Sequence, residues 1–220
     1  MIKAVFFDMD GVLLDSEPVH DMMLDRILSN LGADAEPGIR QKFIGASSED
    51  LWLSMKNTFN LSMSIPELLD LHWETMIKMI PECNVTESRG LTELLKYLKG
   101  NGISVAIVSS SRRDFIEFVI DYLDIRKYLD YVVDGFQVQH GKPAPDIYLL
   151  AAKLGGFSNN ECVVIEDSTN GVGAGKAAEM TVIGYDNPTS LGQDVGKADY
   201  IVKSMNQIIE IFEENKNGLS

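Results

Sequence analysis

Ala4-Val5-Phe6-Phe7-Asp8-Met9-Asp10-Gly11-Val12-Leu13-Leu14-Asp15 is the stretch from which the rest of the chain can be read. Its first four residues are apolar without polar alternation, the pattern of a strand buried on both faces of a parallel sheet. The run ends in two carboxylates one residue apart, followed by glycine. Like charges that close make ionising both costly unless something compensates. A divalent cation is the usual compensator, and hard oxygen donors favour magnesium. Turn chemistry is the structural alternative, because aspartate and glycine are common where strands end. The pair alone leaves both open.

Outward from this stretch the same kind of short apolar run recurs. Val105-Ala106-Ile107-Val108, Tyr131-Val132-Val133, Val163-Val164-Ile165 and Thr181-Val182-Ile183 are rich in β-branched residues. Between them, Leu91, Leu94, Leu95 and Leu98 follow the i, i+3, i+4, i+7 spacing of a helix, as do Ile147, Leu150, Ala151 and Leu154. Asn101-Gly102 stops the first of these helices. The alternation predicts an α/β fold, an open Rossmann-like parallel sheet.

Ser16 to Ile80 breaks the alternation, with helical patterns and no strand. Leu24, Ile27, Leu28 and Leu31 form one stripe, and Leu51 to Phe59 and Ile65 to Ile80 suggest two more helices. Ser64 with Glu67 has the form of a capping box, with Pro66 in the first turn. The expected organisation is a core of residues 1–15 and 84–220 with a helical insertion at 16–83. Such an insertion follows the first strand, at whose carboxyl end open α/β sheets bind ligands.

Other strand ends carry polar groups as well. Ser109-Ser110-Ser111-Arg112-Arg113 follows the second predicted strand. Hydroxyls and N–H groups there suit phosphate oxygens, and the arginines supply positive charge. An N-cap for a helix beginning near Asp114 explains the serines equally well. Gly141-Lys142-Pro143-Ala144-Pro145-Asp146 holds a lysine between glycine and prolines, suited to a fixed charge or to a solvated loop. Ile165-Glu166-Asp167-Ser168 closes another buried strand with a second acidic pair. Gly171-Val172-Gly173-Ala174-Gly175-Lys176 resembles a nucleotide loop only superficially. A Walker motif needs glycine at Asn170 and Ser or Thr at Ala177, and has neither. These glycines are read as close helix-on-sheet packing.

The bulk composition narrows the partners. The 220 residues are 45% hydrophobic, with 19 Lys and Arg against 33 Asp and Glu, a formal charge of -14. That balance repels nucleic acid and anionic lipid at long range, so a phosphorylated ligand needs a local island of positive charge. Two cysteines, Cys83 and Cys162, make neither a zinc motif nor a disulfide framework. Asp8 comes too early for a signal peptide, and no apolar run approaches the roughly 18 residues of a membrane span. The expectation is a cytoplasmic monomer with no nucleic-acid or membrane partner, and an expendable tail from Glu213 to Ser220.

Taken together, Asp8-Met9-Asp10-Gly11, Ser109, Lys142 and Glu166-Asp167 match, in order and context, the four motifs of the haloacid dehalogenase superfamily. Gly141 to Asp146, Glu166-Asp167-Ser168 and Asp8 through Asp15-Ser16-Glu17-Pro18 with His20 resemble its beta-phosphoglucomutase and sugar-phosphate phosphatase branch. The resemblance covers nearly the whole chain and implies that the insertion is a mobile cap domain. It implies that Asp8 is a nucleophile that becomes an aspartyl phosphate, and that Asp10 is the general acid and base. Magnesium would be held by Asp8, the Asp10 carbonyl and Asp167, with Glu166 adjacent. Ser109, Ser110 and Lys142 would bind the phosphoryl group, and His20, Ser111 and Arg112 are weaker substrate candidates. His20 reads equally as a surface residue at a helix start.

Dehalogenase relatives lack the second aspartate, so Asp10 argues for phosphorus rather than carbon. Mutases of the branch carry an arginine where Ser48 aligns, in Gly45-Ala46-Ser47-Ser48-Glu49-Asp50, and tend to carry a lysine at His72. With both cations missing, Arg112 and Arg113 remain as substitutes. The expected activity is therefore a magnesium-dependent phosphatase for a small phosphorylated metabolite, a sugar phosphate by preference. A beta-phosphoglucomutase is the alternative. A phospho-accepting signalling receiver is more remote, since its acceptor ends the third strand and it has no insertion.

Overall fold

The computed structural model describes residues 1–36, 39–40 and 47–217. The chain divides into two compact units, Met1–Asp15 with Thr86–Ser220, and Ser16–Val85. The larger unit is built on strands β1 (Ala4–Phe7), β2 (Ser104–Ser109), β3 (Tyr131–Asp134), β4 (Cys162–Glu166), β5 (Thr181–Tyr185) and β6 (Tyr200–Val202). All neighbours pair in parallel, in the order β3-β2-β1-β4-β5-β6. Every residue of β1 is buried, which is why its sequence shows no polar alternation. β1 pairs with β2 on one side and β4 on the other. Successive strands therefore build outward in opposite directions from β1. Asp8 lies at the carboxyl end of the strand where the order reverses, the place where open α/β sheets form their ligand crevice.

In the smaller unit, α1 (Glu17–Asn30) and α2 (Ser48–Phe59) both pack on α3 (Ile65–Glu82). The predicted capping box is formed: Ser64 accepts from the Glu67 N–H while Glu67 accepts from the Ser64 N–H, with Pro66 in the first turn. The α1 stripe runs one turn earlier than expected. His20, Met23, Leu24, Ile27 and Leu28 are buried, whereas Leu31 is only partly covered. Gly45 and Ala46 of the predicted mutase-like stretch lie outside the described residues.

The larger unit's helices are α4 (Leu91–Gly100), α5 (Arg113–Tyr122), α6 (Asp146–Gly155), α7 (Thr169–Ala177) and α8 (Met205–Asn217). α6 and α7 cover one sheet face, where Ile147, Tyr148, Ala151 and Val172 join Ala4, Phe6, Val108 and Val164 in one core. The glycines of α7 do allow close packing. A Cβ on Gly175 would lie 2.7 Å from a Val182 methyl, and one on Gly171 would overlap the Glu166 carboxylate.

Two expectations need correction, and one strand was not foreseen. In α6 the buried face is Ile147, Tyr148, Ala151 and Ala152, and Leu154 is exposed, because it follows the packed turns toward the helix end. Strand β6 went unread because it is a short edge with Tyr200 and Ile201 exposed. Glu213 to Asn217 belong to α8 rather than to an expendable tail; Glu213 accepts a hydrogen bond from the Tyr97 hydroxyl, and Phe212 packs edge-on against the Tyr97 ring.

Two aspartates fasten the outer strands in the same way. Just before β3, the Asp130 N–H donates to Val105 O at 2.8 Å and its carboxylate accepts from Val105 N at 2.9 Å. Just before β6, Asp199 makes the same reciprocal pair with Val182, at 2.8 Å in both directions. Partial burial opposes ionisation of Asp199, but the Lys176 ammonium and the Val182 N–H outweigh it and hold the carboxyl below its usual range. An acid with a depressed folded-state pKa stabilises above its unfolded value and loses that stabilisation as pH falls through the folded one. Asp199→Ala should therefore be less stable than wild type by about 1–2 kcal/mol at neutral pH. The gap should close on acidification, as checked by urea melts across the acid range.

Candidate active site

The loop after β1 folds back on itself, with the Gly11 N–H donating to Leu14 O at 2.9 Å and the Leu13 N–H to Met9 O at 2.8 Å. Gly11 takes a positive φ of 76°, and a Cβ there would fall on the Asp167 carboxylate. Only glycine lets this backbone approach the second acidic pair so closely. The two acidic motifs thus meet across neighbouring strands, joined where the Asp8 N–H donates to Ile165 O at 3.0 Å.

Lys142 reaches the same point from the loop ahead of α6. Its Nζ lies 2.5 Å from Asp8 Oδ1 and 2.6 Å from Glu166 Oε1. All three side chains are buried, Glu166 completely. Glu166 Oε1 also accepts from the Tyr148 hydroxyl at 2.8 Å. Its Oε2 accepts from the Ser168 N–H at 3.2 Å and the Ser168 hydroxyl at 3.0 Å. Four donors therefore meet the roughly four lone-pair positions a carboxylate offers. The Tyr148 ring lies beneath the ammonium, 5.1 Å from Nζ to the centroid.

Burial pushes the Asp8 carboxyl up to about 8. The Lys142 charge opposes that rise, and the charges of Glu166 and Asp10 add to it. Burial disfavours the charged form of Lys142 too, but Asp8 and Glu166 hold its ammonium well above the usual lysine range. The lysine is thus the fixed charge, and Asp8 carries the strain. Oxygens of Asp8, Glu166 and Asp167 all lie within 4.8 Å of one another. Lys142 contacts Asp8 and Glu166, and Asp167 is a third buried carboxyl beside them, so a divalent cation that prefers oxygen fits the Asp8 and Asp167 donors and the missing charge.

The serine run does not cap a helix. Arg112 is the N-cap residue of α5 and makes no side-chain cap. Instead the Ser111 hydroxyl donates to Asp10 Oδ2 at 2.7 Å, and Ser109 Oγ accepts from the Ser111 N–H at 3.1 Å. Ser109 is buried and Ser110 exposed. The two arginines are engaged locally. Arg112 grips Asp114 with two nitrogens, each at 2.7 Å, and Arg113 bonds Glu117 at 2.9 Å and Val132 O at 3.0 Å. The island of positive charge here is Lys142.

Within the smaller unit, His20 is buried, so its reading as a surface residue does not hold. It continues the apolar stripe of α1, and its ring centroid lies 5.7 Å from that of His72. His72 accepts a hydrogen bond from Trp52 Nε1 at 3.1 Å and lies 4.4 Å from the Trp73 ring.

A family model for haloacid dehalogenase-like hydrolases matches residues 2–179. The chain belongs to this family. The phosphorylated carbohydrates phosphatase of Thermotoga maritima is 31% identical over 178 residues, covering 80% of this chain and 82% of that protein. Hexitol phosphatase B of Escherichia coli K12 is 32% identical over 191 residues, 83% of this chain and 82% of that one. The crystal structure of beta-phosphoglucomutase from Clostridium difficile matches with a TM-score of 0.81 at 27% identity, over 100% of this chain and 99% of that one. Among the described residues no helix is long and apolar enough to cross a membrane.

Two groups of residues in this haloacid dehalogenase-like hydrolase escaped sequence reasoning. Tyr148 sits one residue after Ile147 on the buried face of α6, and its hydroxyl is satisfied by Glu166. Its sequence signal was faint: a tyrosine on a core stripe needs a partner for its hydroxyl. Asn187, Thr189 and Ser190 follow β5, where Asn-Pro reads as an ordinary turn.

Proposed function

We propose that this hydrolase is a magnesium-dependent phosphatase that removes phosphate from a small phosphorylated metabolite, a sugar phosphate by preference, through an aspartyl phosphate on Asp8. The convergence of Asp8, Lys142, Glu166 and Asp167 at the carboxyl end of β1 is the observation that carries this reading. The curated relatives named for phosphorylated carbohydrates and hexitols support the substrate class.

Asp8 attacks phosphorus, forming a P–O bond as the ester P–O bond breaks, and Asp10 gives its proton to the leaving alkoxide oxygen. Asp10 then takes a proton from water as that water's oxygen attacks phosphorus. The bond to Asp8 breaks, phosphate leaves, and Asp10 is protonated again. The Ser111 hydroxyl orients the Asp10 carboxyl for both transfers. Lys142 meets the charge of the phosphoryl oxygens, with Ser109 and Ser110 supplying the neighbouring hydroxyl and N–H groups. Magnesium would be held by the Asp8 and Asp167 carboxylates and the Asp10 carbonyl, shielding the nucleophile from the phosphate's charge. Glu166, its lone pairs already engaged, anchors Lys142 beside the ion rather than binding it.

Beta-phosphoglucomutase chemistry is the second reading, favoured by the full-length likeness to the Clostridium difficile enzyme. A mutase must also grip the non-reacting phosphate. Ser48 brings no charge to that task, His72 is committed to Trp52, and Arg112 to Asp114. The test is a sugar-phosphate panel with magnesium, following free phosphate and phosphate migration by phosphorus NMR. Phosphate release from several substrates is expected. Conversion of beta-glucose 1-phosphate to glucose 6-phosphate with little release would establish the mutase instead.

A further inference from the structure

The loop after β5 carries no acid or base of the proposed chemistry, yet its side chains converge on the loops that do. Asn187 braces the turn, its Oδ1 accepting from the Thr189 N–H at 3.1 Å and the Thr189 hydroxyl at 2.9 Å. Its Nδ2 then donates to Gly11 O at 3.0 Å. The Thr189 hydroxyl shares its one proton between Asn187 and Asp15, and the Ser190 hydroxyl donates to Asp167 Oδ2. Further along, Gln193 Oε1 accepts from the Thr169 N–H at 2.8 Å, and Thr169 Oγ1 accepts from the Asp194 N–H at 2.7 Å. One short segment therefore straps the β1 loop and the β4 loop together.

We infer that Ser190 is a positioning residue for the metal site, fixing the rotation of the Asp167 carboxylate so that it is set to receive the cation. The inference rests on the reading of Asp167 as a magnesium ligand. A carboxylate on a short side chain turns freely about its last bond unless something holds one oxygen, and groups that hold a ligand in this way tune metal affinity. Ser190 is buried, with only 8% of its surface exposed. It is also tightly enclosed, since a Cβ on Gly11 would lie 3.1 Å from its Oγ while overlapping Asp167. The hydroxyl thus sits beside the Asp167 oxygen that the missing Cβ of Gly11 leaves room for. Asn187 and Thr189 matter differently: they hold the loop, whereas Ser190 alone of the three touches the ligand.

The test is magnesium binding to the metal-free protein by titration calorimetry, with manganese binding followed by electron paramagnetic resonance as a second measure. Ser190→Ala should raise the dissociation constant about tenfold to a hundredfold and leave the melting temperature of the metal-free protein nearly unchanged. Turnover should recover as magnesium is raised. An unchanged dissociation constant overturns the inference. Should Ser190→Ala also melt early, Thr189→Val decides, because it loosens the same loop without touching Asp167. An equal loss of affinity in Thr189→Val assigns the effect to loop packing and overturns the inference; retained affinity there upholds it. If the wild-type protein binds no magnesium at a single site, the metal reading falls and this inference with it.

Discussion

Asp8→Asn is expected to lower phosphate release by on the order of 10⁶-fold while leaving the metal-free protein as stable as wild type or more so. The two halves of this expectation come from the same feature. Burial has pushed the Asp8 carboxyl up to about 8, so the ionised form is costly to keep in the folded chain. Asparagine has nearly the same shape, still offers an oxygen to Lys142, and never has to ionise. What it lacks is a nucleophilic oxygen able to form the acyl phosphate, and neither Asp10 nor Glu166 is placed to replace it. Asp10 is turned to Ser111, and Glu166 is saturated by Lys142, Tyr148 and Ser168. The measurements are free-phosphate release with magnesium, acid-quenched mass spectrometry for a phosphorylated protein, and thermal melting without metal. Substantial magnesium-dependent turnover in the variant would remove Asp8 from the nucleophile's role. A large drop in melting temperature would show instead that the carboxylate serves the fold.

How much of this was legible in the sequence depended on whether a residue's role is local. Ala4 to Phe7 could be read as a buried strand because burial on both faces leaves no polar residue in it. Asp8, Lys142, Glu166 and Asp167 could be singled out because each stands where an apolar run ends or beside glycine and proline, and strand ends in a parallel sheet share one rim. Ser111 carried a false local signal. Three serines before a helix look like a cap, and only the fold shows that the hydroxyl bonds Asp10, far away in sequence. The surface reading of His20 failed for a related reason: its burial follows from the phase of α1, whose stripe, read from the leucines, begins at Leu24, four residues after His20. Strand β6 and the loop from Asn187 to Ser190 had least to offer. One is an exposed edge, and the other looks like any turn until its side chains meet Gly11, Asp15 and Asp167.

Lys142→Met is expected to damage both activity and stability, and the two can be separated. The ammonium is the charge shared by Asp8 and Glu166 in a pocket where all three side chains are buried. Removing one member of a buried ionic group costs about 3–5 kcal/mol, because the partners stay behind uncompensated. That is a large part of the roughly 5–15 kcal/mol that holds a domain of ordinary size together. Turnover should fall separately by about 10²–10³-fold, the usual effect of losing one preorganised group that meets transition-state charge. Arginine should not substitute well, since its planar fork does not reproduce the point charge that meets Asp8 Oδ1 at 2.5 Å and Glu166 Oε1 at 2.6 Å together. The double variant Lys142→Met/Glu166→Gln distinguishes the two losses. Glutamine removes the stranded charge while keeping an acceptor for Ser168 and an amide to face Tyr148, so the double variant should regain much of the melting temperature of wild type. Its turnover should stay as low as that of the single variant, because the phosphoryl oxygens still meet no cation. Recovery of turnover together with stability would mean that Lys142 acts only by balancing Glu166, and that the charge facing the substrate comes from elsewhere.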